Sequence, residues 1–157
     1  MEVDNYTFNV HNKEEFPPAH TAEHLLNQLM VRMFGTERSR NVHIERKKSK
    51  MTFVLQQKPS RKEEKAITDE MNRLIEEDLP VTYELVERNN LPENVTLERL
   101  HEDASEKIRL VRIGNYDVCP CIGKHVRSTK QIGKFELLGT NWDEHSKSFR
   151  IRFKVIP

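Results

Sequence analysis

The chain of 157 residues is short of cysteine, glycine and net charge. Its two cysteines, Cys119 and Cys121, stand one residue apart, which is no framework for disulfide bonds. That spacing suits part of a metal site in a reducing cytoplasm. No apolar run approaches the roughly 20 residues a membrane helix needs, so no membrane partner is expected. The opening M-E-V-D-N-Y-T-F-N-V has neither a basic start nor an apolar stretch, and no secretory signal is expected. With 26 Lys plus Arg against 25 Asp plus Glu, bulk charge cannot hold this protein on nucleic acid. No DNA partner is expected, although a local basic patch stays open. The five glycines build no Gly/Ser linker and no repeat divides the chain, so one domain over 1–157 is expected.

What the sequence does contain is periodicity. A composition of 36% hydrophobic and 32% charged residues fits a packed core under a heavily solvated surface. Alternation suggests a first strand within 2–11. Pro17 and Pro18 lead into H-T-A-E-H-L-L-N-Q-L-M-V-R-M-F-G, which predicts a helix over 18–34 with Gly35 as its stop. Paired strands are expected at 41–46 and 50–57. Ser60 and Glu63 have the spacing of a capping box. The helix they open carries Ile67, Met71, Leu74 and Ile75 on one face and should end near Asp78, before Pro80. Further strands are expected over 81–87 and 107–113, with a loop or short helix over 91–104. In S-F-R-I-R-F-K-V-I, Phe149, Ile151, Phe153 and Val155 share one face and Arg150, Arg152 and Lys154 the other. Trp142 and its neighbours read as the hairpin turn between this strand and G-K-F-E-L-L-G-T. The expected class is α+β: a mainly antiparallel sheet with helices packed on one side.

The chemistry gathers in two short motifs. His20 and His24 are four apart on the first helix and project from nearly the same face. Leu25, Leu26, Leu29, Met30 and Met33 gather on the opposite side, so the two imidazoles should line a cleft wall rather than sit in the core. Glu23 should point away from the histidine stripe and is not expected to act as a general base. The second motif is C-P-C-I-G-K-H at 119–125, where Cys121 and His125 are again four apart. Joined with the helical pair, they supply N and S ligands suited to tetrahedral zinc. Cys119 could replace Cys121 as ligand or pack nearby.

H-T-A-E-H-L-L followed about a hundred residues later by C-I-G-K-H-V resembles the editing domain of alanyl-tRNA synthetase. It is also similar to the free-standing alanyl-tRNA editing proteins of the AlaX type and, more distantly, to the editing domain of threonyl-tRNA synthetase. R-S-R-N-V-H-I-E-R, R-L-I-E-E-D, V-R-I-G and T-K-Q-I-G-K-F-E-L fall where that family places comparable segments. The resemblance implies zinc held by His20, His24, Cys121 and His125, and hydrolysis of the ester joining a wrong amino acid to tRNA. The family loop is usually C-G-G-T-H; here Ile122 replaces the first glycine and Lys124 the threonine. Thr21 and Lys124 are the candidate catalytic side chains. Lys124, Arg127, Lys130, Lys47 and Lys48 are the candidate contacts to a tRNA acceptor end. Two other readings stand beside hydrolysis of mischarged tRNA. One is a non-catalytic member that binds tRNA or a partner; the other is a zinc hydrolase acting on a small ester or amide.

Overall fold

A computed structural model describes residues 15–92, 95 and 107–157. The expected strand within 2–11 lies outside these residues, as does most of 91–104. The first helix, α1, spans Pro17–Phe34. Proline at its first positions needs no hydrogen-bond partner there. Gly35 ends it in the left-handed region at φ 65°, its N–H reaching the Val31 carbonyl at 2.9 Å. Strands β1 (Asn41–His43) and β2 (Ser49–Val54) follow. β1 is shorter than expected because the Ser49 hydroxyl closes the connection, bonding both the N–H and the C=O of Glu45 at 3.1 Å. The second helix, α2, spans Arg61–Glu76 and starts on the expected reciprocal box between Ser60 and Glu63. Strand β3 (Val81–Glu87) leads through a 3-10 turn at Arg88–Asn90 to the end of that described stretch. Then come β4 (Lys107–Ile113), β5 (Asp117–Pro120), β6 (Lys134–Asp143) and β7 (Ser148–Ile156).

These strands form two antiparallel sheets, ordered β1-β2-β7-β6 and β3-β4-β5. The class is the expected α+β. Trp142 corrects one detail: it lies within β6 opposite Phe149, and the turn falls at 144–147, where Lys147 takes φ 56°. The inner face of the first sheet is apolar. Met51 and Phe53 of β2, Phe135 of β6, and Phe149, Ile151, Phe153 and Val155 of β7 are buried there with the helices. On α2 the buried set is the predicted Ile67, Met71, Leu74 and Ile75. α1 packs on β7 and α2 and also meets β5 of the second sheet. It is therefore covered on opposite sides, and Thr21, Glu23, His24 and Asn27 are as buried as its leucines. Among the described residues, no helix is long and apolar enough to cross a membrane.

The capping box satisfies two of the donors that α2 would otherwise leave bare, at 2.8 and 3.1 Å. Ser60→Ala should cost about 1 kcal/mol, lowering the thermal midpoint by about 2–4 °C. An unchanged midpoint in calorimetry would show that the box contributes nothing to stability.

Candidate metal centre

His20 and His24 come from the N-terminal half of α1; Cys121 and His125 come from the loop after β5. Each of these four residues offers one ligand atom, and all four atoms lie within 4.8 Å of one another. The rings crowd together: His20 stacks on His125 at 4.2 Å between centroids, and His24 meets His125 edge-on at 4.5 Å. Such a cluster could hold a metal ion such as zinc. Cys119 is not part of it. It sits on β5 opposite Val111, and burial pushes its thiol up to about 12.

Two of the three rings, His20 and His125, are held through Nδ1. His20 Nδ1 lies 3.1 Å from the Lys124 carbonyl oxygen, and His20 Nε2 lies 3.3 Å from Cys121 Sγ. His125 Nδ1 meets the Thr21 hydroxyl at 2.9 Å, leaving its Nε2 buried with no hydrogen-bond partner. An orphaned imidazole nitrogen facing two other imidazoles and a thiol fits a metal ligand. His24 Nδ1 faces the buried Asp117 carboxylate at 3.8 Å. Asp117 is itself fixed by Gln28 at 2.9 Å and by Arg38 at 2.6 Å. Arg38 serves as the counter-ion of Asp117.

Protonation follows from this geometry. Burial works against the Cys121 thiolate, but the adjacent His20 holds its pKa below the usual thiol value. Burial also opposes charge on His20, yet the Cys121 sulfur, Glu23 and the Lys124 carbonyl raise it to about 9. His125 is held well below the ordinary imidazole value by burial, with the positive charges of His20 and Arg109 adding to the effect. A thiolate and a neutral ring are the forms that bind a metal, while His20 must release its proton on ligation.

Two expectations for α1 need correction. His24 is 1% exposed and does not line an open wall, because β5 and the ligand loop cover the helix face opposite its leucines. Glu23 does not point away: its carboxylate is buried, 3.9 Å from His20 Nε2, and accepts from Asn27 Nδ2 at 3.1 Å. Thr21 has no exposed surface. Its hydroxyl also accepts the Val126 N–H at 3.2 Å, so it ties the ligand loop to α1 rather than facing open solvent.

The sequence reading missed Arg109. Buried in β4, it donates from Nε to the Cys121 carbonyl at 2.9 Å and from Nη2 to the Gly123 carbonyl, and it stacks 4.6 Å over the Tyr83 ring. Its signal was its place in K-I-R-L-V-R-I, where it alternates onto the face of Val111 and Ile113. Gly123 allows the loop to come this close, since a Cβ there would stand 2.2 Å from His20 Cε1. Lys124, Arg127 and Lys130 are exposed on and after this loop. Lys47 and Lys48 are exposed in the β1–β2 connection, whose Arg46 lies 4.4 Å over the ring of Phe16 at the start of α1.

Thr21→Val keeps the shape and removes the hydroxyl that orients His125. Metal affinity should fall by about 10–100-fold, read by competition with a chromogenic chelator. An affinity equal to wild type would remove Thr21 from the support of the cluster.

Comparison with known proteins extends the picture. Residues 108–152 match the Threonyl and Alanyl tRNA synthetase second additional domain. Alanyl-tRNA editing protein AlaX-L of Pyrococcus horikoshii is 44% identical over 72 residues, covering 44% of this chain and 17% of that protein. The alanine–tRNA ligase of Methylacidiphilum infernorum is 32% identical over 122 residues, covering 76% of this chain and 13% of the ligase. That of Methanococcus vannielii is 28% identical over 138 residues, covering 84% and 15%. The chain therefore spans less than a fifth of the length of these three relatives. A second-additional-domain segment carrying Cys121 and His125, joined to a helix that brings His20 and His24 against them, makes this chain a homologue of AlaX-L and of the alanine–tRNA ligases.

Proposed function

We propose that the protein is a zinc-dependent hydrolase of mischarged aminoacyl-tRNA, with tRNA for alanine as its carrier. The observation that carries the reading is the convergence of three imidazoles and one thiol within 4.8 Å, in a chain homologous to an alanyl-tRNA editing protein. A set of three nitrogens and one sulfur suits zinc, and the orphaned His125 Nε2 is explained once it is a ligand. His20, His24, Cys121 and His125 would hold the ion. Zinc bound there would supply a Lewis acid for the ester carbonyl.

The remaining roles belong to the chain's own groups. Thr21 keeps the His125 ring turned toward the cluster, and the Lys124 carbonyl does the same for His20. Arg109 fixes the loop backbone from below through the carbonyls of Cys121 and Gly123. Lys124, Arg127 and Lys130 are exposed on and after the ligand loop, and in this reading they would receive phosphates of the acceptor end. In the reaction a water oxygen bonds to the carbonyl carbon and the ester C–O bond breaks. One water proton passes to the ribose oxygen, which leaves as a hydroxyl, and the other goes to solvent as the amino acid departs as a carboxylate.

Purified protein should carry about one zinc per chain and release the amino acid from a mischarged tRNA. His24→Ala and Cys121→Ala should each remove most of the metal and abolish release, since breaking a four-ligand set leaves a much weaker site. Full zinc occupancy in His24→Ala would refute the ligand set. Stoichiometric zinc with no release from any mischarged tRNA would refute the hydrolase and favour the non-catalytic binder.

A further inference from the structure

The first sheet has one face packed on the helices and the other turned outward. Met51, Phe53, Phe149, Ile151 and Phe153 enter the core, so Lys50, Thr52, Arg150, Arg152 and Lys154 project from the opposite face. The strand register sets the outward side chains in rows across the sheet. Asn41, Thr52, Arg150 and Asn141 make one row; His43, Lys50, Arg152 and Gly139 make the next. Strand β7 and α1 stand between this face and the metal cluster, since α1 turns its leucines to the core it shares with β7 and Thr21 and His20 to the ligand loop.

Across these two rows, Asn41, His43, Lys50, Thr52 and Arg150 line a depression of about 300 Å³. All five side chains can donate a hydrogen bond, and no carboxylate lines the depression. His43 is paired with Glu45 at 3.0 Å. Lys50, Arg150 and Arg152 form no ion pair with any described residue. Lys50 stands directly opposite Arg152, a like-charge pair that costs stability until an anion covers it. Arg152 lies across β6, where its guanidinium takes the space a Cβ at Gly139 would fill, and its Nε has no hydrogen-bond partner. Farther along β7, Lys154 shares Glu136 with Lys134, at 3.6 and 4.0 Å. From Arg150 to Lys154 the cations extend over about 14 Å.

We infer that this outer face binds the backbone of an RNA double helix, with one phosphate seated in the depression. Such binding goes beyond hydrolysis and does not depend on it. A compact anion would use the depression alone, whereas the cations continue along β7 and suit a repeating one. The aromatic residues of these strands, Trp142 included, lie on the core side. Unstacked bases of a single strand therefore find no platform here. Beside the cations the face offers the Thr52 hydroxyl and the Asn41 and Asn141 amides, which both donate and accept. Groups of that kind suit the 2′-hydroxyls that stand next to the phosphates of an RNA helix. A sheet backed by the core holds them in fixed register, as recognition by shape requires.

The test uses the full chain and a blunt-ended RNA duplex, with no single-stranded end and no amino acid, followed by fluorescence anisotropy over a range of salt. Lys50→Gln combined with Arg150→Gln should weaken binding about tenfold and lower the magnitude of the salt slope by about 2. Lys58→Gln with Lys62→Gln, two exposed cations near the start of α2, should change neither. Arg150→Gln alone, at an exposed side chain, serves if the double variant loses its wild-type melting profile, and should lower the slope by about 1. No binding by wild type at low salt would overturn the inference, as would equal affinity and slope for wild type and the Lys50 and Arg150 variants. A single-stranded RNA of the same length bound as tightly would overturn it in favour of an unpaired strand. A DNA duplex bound as tightly would remove the 2′-hydroxyls from recognition and overturn the choice of RNA. Displacement of the duplex by polyglutamate at equal charge would overturn it in favour of an acidic protein partner.

Discussion

The structure depends on α1 being buried on two opposite sides. Its leucines and methionines enter the core with β7 and α2, while its histidine side is roofed by β5 and the Cys121–His125 loop. That arrangement forces three imidazoles and a thiol into one small volume. Buried polar rings are costly unless their nitrogens are satisfied. Satisfaction comes in two halves. The Nδ1 atoms of His20 and His125 meet oxygen atoms of Lys124 and Thr21, and His24 Nδ1 has the Asp117 carboxylate 3.8 Å away. The inner atoms are left to each other, and a metal ion is the partner that can satisfy several of them together.

Charge around the cluster is arranged in rings of opposite sign. Asp117 and Glu23 bring buried carboxylates to the histidines, at 3.8 and 3.9 Å. Beyond Asp117 stands Arg38, and beneath the loop stands Arg109. Neither arginine reaches solvent as a free cation, so neither adds to the exposed positive surface. What remains outside is the loop set of Lys124, Arg127 and Lys130 and, elsewhere, Arg32, Arg40 and Arg112. A chain with almost no net charge can therefore still present local positive ground to a polyanion.

Much of this was legible in the sequence. The 3.6-residue period located both helices, Gly35 and Ser60 marked two of their ends, and the paired four-residue spacings named the four cluster residues. Less legible was what covers what. A helical wheel assigns one face to the core and one to solvent, and it fails when a second sheet supplies a second core. The expectations for His24 and Glu23 fail for that reason. Arg109 was missed because its task is performed on backbone carbonyls twelve and fourteen residues away, which no side-chain pattern records.

The same backbone logic explains how the loop tolerates its departures from C-G-G-T-H. Position 123 cannot carry a side chain, because a Cβ would collide with the His20 ring, and glycine stands there. Position 124 acts on His20 through its carbonyl, which lysine offers as well as threonine does. The side chain at 124 is thus released from the geometry of the cluster, and in this chain it is an exposed cation. Its ammonium keeps its hydration outside the site, where entry would require desolvation beside His20, itself favouring a positive charge. Substitution at 124 therefore changes what the rim of the site attracts without changing how the ligands are held. Ile122 is half-buried between the Cys121 carbonyl taken by Arg109 and the fixed Gly123, so its bulk is added where the backbone is already anchored on both sides.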